Sequence, residues 1–186
     1  MNAERGRILV RWARARLREA LGGPRAARPE GDWGEARTAT FVTLRRPGGS
    51  LQGCIGSLQA VRGLVDDVAH NAVAAGLDDP RGTPLRLADV DGLQVEVSVL
   101  SPLAPVEFAG GEAGARAALR PGTDGVVLGW RGRRATLLPI MWEQLPEAGA
   151  FLAALKTKAG LPRDFWSDEV ALWRYGAERF ADEGAP

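Results

Sequence analysis

One cysteine and one histidine are all the thiol and imidazole this 186-residue chain holds. A single cysteine closes no disulfide within the chain, and one thiol with one imidazole falls short of the four Cys/His ligands of a structural zinc site. Both scarcities suit a reducing compartment. No run approaches the roughly 18 apolar residues of a membrane-spanning helix. Residues 1–21 carry arginines every few positions and no continuous apolar core, so they do not read as a secretory signal. The expected location is cytoplasmic, without membrane contact. A phosphate-cradling glycine motif, an HExxH pair and a GxSxG elbow are also missing, so no metal and no cofactor is expected.

What is present is ordinary globular material. At 45% hydrophobic and 25% charged residues, a chain of this length buries roughly 70% of its unfolded surface and needs no covalent staple. The net charge of +1 rules out a general polyanion binder, yet the charge is uneven. Residues 1–50 hold eleven Arg against five acids, and residues 137–186 hold five bases against eight acids. Such asymmetry steers an anionic partner to one end.

Apolar spacing predicts a helix over 4–21, carried by Ile8, Leu9, Trp12, Ala13, Leu17 and Leu21 and ended by Gly22-Gly23-Pro24. Residues 24–37 read as a surface loop. Two β-rich runs, 38–45 and 51–55, flank the Pro47-Gly48-Gly49 turn and predict a hairpin. A helix follows over 63–77, with Leu64, Val65, Val68, Ala69, Ala72, Val73 and Ala75 on its apolar face. Residues 93–100 alternate, with Leu93, Val95, Val97 and Val99 on one side. Further on, a short helix near 112–119 precedes strands 125–130 and 133–138 joined through Arg131-Gly132. A helix around 151–159 and a strand over 170–175 complete the order. Hairpins and helices without a βαβ rhythm predict the α+β class.

Chemistry concentrates at Cys54, flanked by Gly53 and Gly56. Glycines there let the backbone bend and leave amide N–H groups uncovered for a ligand, and a thiolate held by amides or an arginine is a nucleophile. The other reading makes Cys54 a small core hydrophobe at a strand end. Any Cys–His dyad must join Cys54 to His70, yet His70 falls opposite the apolar face of its helix, near Asp66 and Asp67, where a histidine is solvated. Asp79-Pro80-Arg81 is either a helix stop or an anchor in which Arg81 grips a carboxylate or phosphate. Arg7, Arg11, Arg14 and Arg18 form a stripe without an acid on it: a solvated face, or a contact for RNA or an acidic protein. RNA would want interleaved aromatics, and the nearest, Trp12, lies on the apolar arc. Of the tryptophans, Trp12, Trp142 and Trp173 are placed in the core. Trp33 and Trp166, in loops, either anchor a partner or fold back onto the core.

These residues resemble a known family. Phe41-Val42-Thr43-Leu44 with Leu51-Gln52-Gly53-Cys54-Ile55-Gly56, then Asp79-Pro80-Arg81 with Pro84-Leu85, Val95-Glu96-Val97-Ser98-Val99-Leu100-Ser101-Pro102, Gly122-Thr123-Asp124-Gly125, and Leu137-Leu138-Pro139 with Trp142 are similar, in this order, to the AMMECR domain, whose bacterial members are called AmmeMemoRadiSam system protein A. The chain departs from the family where Gln52 replaces a common arginine and Gly82 a common phenylalanine. The resemblance implies an α+β fold, a mixed or antiparallel sheet with flanking helices, formed by one domain over 1–186 with two lobes. It also implies a functional neighbourhood of a radical SAM protein and a Memo-like protein, but no reaction. Motif chemistry places Gly53, Cys54, Gly56, Asp79, Arg81 and Asp124 in a candidate site. Two functions remain open: an enzyme or enzyme subunit that modifies a small molecule or RNA through Cys54, and a non-catalytic binding or scaffold module for protein or nucleic-acid partners.

Overall fold

A computed structural model describes residues 1–182. In chain order its elements are α1 (Ala3–Ala20), β1 (Thr40–Arg45), β2 (Leu51–Gly56), α2 (Leu64–Leu77), β3 (Gln94–Leu100), β4 (Ala104–Pro105), α3 (Gly111–Ala118), β5 (Gly125–Trp130), β6 (Arg133–Leu137), α4 (Ala148–Lys158), β7 (Ala171–Tyr175) and β8 (Ala177–Ala181). Two compact units result, one of residues 1–100 with residues 178–182, the other of residues 101–177. The helices and the two four-stranded sheets make this an α+β protein, as the sequence predicts.

In the first unit, α1 starts where the Asn2 side chain accepts the Arg5 amide N–H at 2.9 Å, satisfying one of the donors that a helix start leaves unpaired. Leu9, Val10, Trp12, Ala13 and Leu17 are buried and pack with Leu64, Val65, Val68, Ala72 and Ala75 of α2. Both helices cover one face of a sheet ordered β2-β1-β3-β8. Val42, Leu44, Val95, Val97 and Val99 point into that core. The antiparallel register sets Thr43 opposite Cys54 on β2 and opposite Glu96 on β3. Alternation therefore places Cys54, Thr43 and Glu96 in one row on the face away from the helices.

Strand β8 is absent from the sequence reading. Its five residues offer one large apolar side chain, Phe180, and too little pattern to mark a strand. The fold supplies the missing half: Phe180 packs against the first core, and a Cβ on Gly6 would stand 2.0 Å from its ring. Loop 24–37 also contains a 3-10 turn, Asp32–Gly34. From it Trp33 folds back onto the core, with Arg5 stacked 5.5 Å from its ring centroid.

The second unit carries an antiparallel sheet ordered β4-β7-β5-β6. The β5–β6 hairpin turns through Arg131 and Gly132, whose φ values of 42° and 80° match the left-handed turn that follows the strands' own twist. Phe151, Leu152 and Leu155 of α4 fill the core against Val126, Leu128 and Leu172. Trp142 stacks on Phe151 with ring centroids 3.9 Å apart, and Trp166 packs edge-on against Phe108 at 5.9 Å. Trp12 and Trp142 are core residues as expected, but Trp173 is not. Leu172 takes the inward position on β7, so the alternation turns Trp173 to the other face, where Arg134 lies 5.5 Å from its ring centroid. Among the described residues, no helix is long and apolar enough to cross a membrane.

Candidate functional site

Cys54 lies on β2, an edge strand, and is half-buried. Its sulfur accepts a hydrogen bond from the Thr43 hydroxyl at 3.2 Å. The backbone N–H and C=O of Cys54 point off the sheet edge and are met there by side chains. Asp79 Oδ2 accepts the Cys54 N–H at 2.8 Å, and Arg81 Nη2 donates to the Cys54 carbonyl at 3.3 Å. One acceptor and one donor at that spacing replace what a neighbouring strand would present. The clasp therefore blunts an edge that would otherwise pair with another chain.

The clasp is preassembled. Arg81 donates to Asp79 from its backbone N and Nε, both at 3.0 Å, and from Nη2 at 2.7 Å. The Arg81 guanidinium bonds hold the Asp79 carboxyl well below the usual carboxylate range, aided by the Cys54 and Arg81 amides and opposed by burial. Asp79 reciprocally raises Arg81. The Asp79 side chain is 1% exposed and that of Arg81 59%, so a buried anion is held by a cation that also faces outward. The expected helix stop has Arg81 satisfying terminal carbonyls of α2, but its guanidinium instead grips the chain's own Asp79 and the Cys54 carbonyl.

The glycines have a different use from the one expected. A Cβ on Gly53 would lie 1.9 Å from the Ala75 carbonyl oxygen, and one on Gly56 would lie 2.3 Å from both the Thr40 oxygen and the Phe41 ring. Gly53 lets α2 press onto the edge strand, and Gly56 lets β2 approach β1. Close packing of backbone on backbone accounts for both. The two departures from the family pattern also touch each other. A Cβ on Gly82 would stand 2.5 Å from the Gln52 carbonyl oxygen and 2.9 Å from its Nε2. Gln52 itself is buried, donating to the Thr83 carbonyl at 2.8 Å and accepting from Arg46 Nε at 2.7 Å.

The Cys54–His70 dyad does not form. Helix α2 covers the opposite face of the sheet from the Cys54 side chain, and His70 is exposed on it, with no hydrogen bond among the described residues. Asp66 and Asp67 separate as well. Asp66 pairs with Arg28 at the surface, whereas Asp67 is buried. Its Oδ2 accepts from the Thr40 backbone N–H and hydroxyl at 3.0 and 2.7 Å and from Asn71 Nδ2 at 3.0 Å, and Arg62 lies 3.3 Å from its Oδ1. The sequence reading misses this network because one aspartate beside another on a helix carries no sign of which faces inward.

Asp124 belongs to the second unit. It is fully buried and accepts from Arg120 Nε and Nη2 at 2.9 and 2.7 Å, from the Arg120 amide at 3.0 Å and from Arg174 Nη1 at 3.3 Å. Its carbonyl accepts the Trp142 indole N–H at 2.6 Å. These bonds tie the turn after α3 to β7. Nearby, Tyr175 bonds the Thr136 hydroxyl at 2.7 Å, and burial pushes its phenol up to about 12. Another residue that the sequence reading misses is Lys156, 1% exposed on α4 and paired with Glu112 at 3.1 Å. Among the described residues, no group of three or more His, Cys, Asp or Glu could hold a metal ion.

Two arginines of the stripe on α1 are engaged by acids distant in sequence. Arg14 Nη2 donates to Asp182 at 2.5 Å and to the Leu93 carbonyl at 2.7 Å, and Arg18 pairs with Asp91 at 2.6 Å. Much of that face is therefore occupied in holding the unit's own loops and last strand.

A four-stranded antiparallel sheet with two helices on one face and a clasped cysteine at its edge, joined in one chain to a second sheet-and-helix unit, defines the class of protein. The AMMECR1 family model matches residues 10–180, and the chain belongs to that family. Similar proteins include one from Methanothermobacter thermautotrophicus, 36% identical over 99% of this chain and 97% of the relative. Protein PH0010 of Pyrococcus horikoshii is 34% identical over 97% of this chain and 91% of its own length. The crystal structure of that protein, described as uncharacterized, superposes with a TM-score of 0.88 over 98% of this chain and 94% of the other.

Proposed function

We propose that the protein is an enzyme subunit that presents Cys54 as the reactive group of a small-molecule site, working with a radical SAM protein and a Memo-like protein. The single observation behind this reading is the setting of the sulfur. Cys54 is half-buried rather than sealed in the core, it accepts a hydroxyl hydrogen bond from Thr43, and its backbone is held on both polar atoms by Asp79 and Arg81. A packing cysteine needs none of this. The partners rest on the family resemblance alone. A small molecule is favoured over RNA because Arg14 and Arg18 already serve internal acids.

No imidazole or carboxylate contacts the sulfur among the described residues, which favours a thiol that accepts or carries a group over one paired with its own general base. That absence is also the observation behind a second reading, a non-catalytic binding module. The two separate in one experiment. Wild type and Cys54→Ser are incubated with the radical SAM and Memo-like proteins and a small-molecule extract of the cells, then analysed by intact mass. A mass increase on the wild type alone supports the proposal. Co-purification of the partners with equal strength and no mass change on either protein would leave the binding module.

A further inference from the structure

We propose that the sheet face beside Cys54 carries a binding site for a small monocarboxylate, anchored by Arg45 and Gln94. A cavity of about 190 Å³ lies over β1, β3 and the end of β8, lined by the side chains of Thr43, Arg45, Gln94, Glu96 and Asp182 together with Val95 and Ala181. At roughly 30 Å³ per water this is room for about six waters, or one small organic molecule. All of its lining belongs to the first unit.

The charges on the lining are matched with one exception. Glu96 takes two bonds from Arg179, at 3.1 and 2.6 Å. Asp182 Oδ2 takes Arg14 at 2.5 Å and the Val95 amide at 2.8 Å. Arg45 has no acid partner among the described residues; its Nη1 donates to the Gly49 carbonyl at 3.3 Å. Gln94, directly opposite Arg45 in the β1–β3 register, is exposed and makes no side-chain bond among the described residues. A planar fork of donors beside an idle amide suits a carboxylate. One unmatched positive charge suits a monoanion rather than a dianionic phosphate.

The register gives the site a direction. Arg45 and Gln94 stand two residues, roughly 7 Å, along the strands from Thr43 and Glu96. Thr43 stands directly opposite Cys54 and bonds its sulfur. A short-chain acid held by its carboxylate at Arg45 lies along the Thr43–Glu96 row, with Cys54 one strand beyond Thr43 and outside the cavity's lining. If the thiol reacts as proposed, a monocarboxylate is the substrate class that this neighbouring site supplies to it. Its binding stands on Arg45 and Gln94 alone, and only its later reaction rests on the proposed reactivity of the thiol.

Butyrate, with butyramide as its neutral counterpart, is titrated into 15N-labelled protein at fixed ionic strength and followed by amide shifts. Butyrate is expected to move the Thr43, Arg45, Gln94 and Glu96 signals and butyramide to move none of them. Arg45→Gln weakens binding at least about tenfold, and Arg45→Lys weakens it less because the charge remains. Both substituted side chains at position 45 are solvent-exposed, and each variant's own spectrum reports its folding. Equal shifts from butyrate and butyramide, shifts clustered elsewhere, or undiminished binding to Arg45→Gln would overturn the proposal. If butyrate binds as described but the folded protein's thiol stays unmodified by iodoacetamide, the thiol reading fails and the site stands.

Discussion

The Thr43 hydroxyl reaches across an antiparallel strand pair to donate to the Cys54 sulfur at 3.2 Å. The two residues face each other in the register, and because the Cys54 N–H and C=O point outward, theirs is the narrow kind of cross-strand pair, with Cα atoms about 4.5 Å apart. The contact is written into the strand pairing, so it persists as long as the edge of β2 is held.

Asp79 holds that edge, and its protonation releases it. The folded carboxyl sits below its unfolded value of about 3.9. Its contribution is therefore complete above the unfolded value and is lost as pH falls through the lower folded one. Asp79→Asn should cost about 2 kcal/mol near neutrality, through weakened bonds to Arg81 and the Cys54 N–H. The gap between wild type and variant in urea unfolding should narrow as pH drops from 5 toward 2. A gap that is constant with pH would mean that the carboxylate charge is irrelevant to the clasp.

Arg81→Lys keeps a cation but loses the fork that grips both Asp79 oxygens. Folding should survive with a loss of about 1 kcal/mol, because the guanidinium is largely exposed. Amide exchange at Cys54 should quicken, since the edge is then held by Asp79 alone. Unchanged exchange at Cys54 would place the edge's protection elsewhere.

The extended backbone conformation at Gly53 accepts any residue, but the space there does not. Gly53→Ala sets a methyl 1.9 Å from the Ala75 carbonyl oxygen, and backbone on both sides leaves little room to relax. A loss of about 3 kcal/mol, in the upper range for overpacking, is expected in denaturant unfolding. A variant as stable as wild type would show that α2 is not pressed onto β2.

Core periodicity is the part of the fold the sequence carries best. Val68 on α2 and Val97 on β3 are both fully buried, the positions their 3.6- and 2-residue spacings predict. Val→Ala at either should cost about 2 kcal/mol, and a cost below about 0.5 kcal/mol would be that of a surface position. The hairpins at 47–49 and 131–132 are legible for the same reason: glycine and turn chemistry are local. What stays hidden is long-range. Strand β8 exists because β3 offers it an edge and Gly6 a slot for Phe180. Asp67 turns inward because Thr40 and Asn71 wait there. Cys54, Asp79 and Arg81, named together from their motifs, do meet in one hydrogen-bonded cluster, but the close packing at Gly53 and Gly56 is not legible, because a glycine chosen for close packing reads the same as one chosen for a ligand. Asp124 shares the motif chemistry of Asp79 and is held by Arg120 much as Asp79 is held by Arg81, yet its partners all lie in the second unit.

Native-state alkylation of the single thiol tests the central claim most directly. The folded protein is treated with iodoacetamide and its intact mass followed with time, alongside the same protein in urea. The account predicts one complete adduct on the folded chain, at a rate within about tenfold of the unfolded one, and a changed rate in Thr43→Val at unchanged stability. A thiol that stays unmodified until urea unfolds the chain would contradict it and make Cys54 a packing residue.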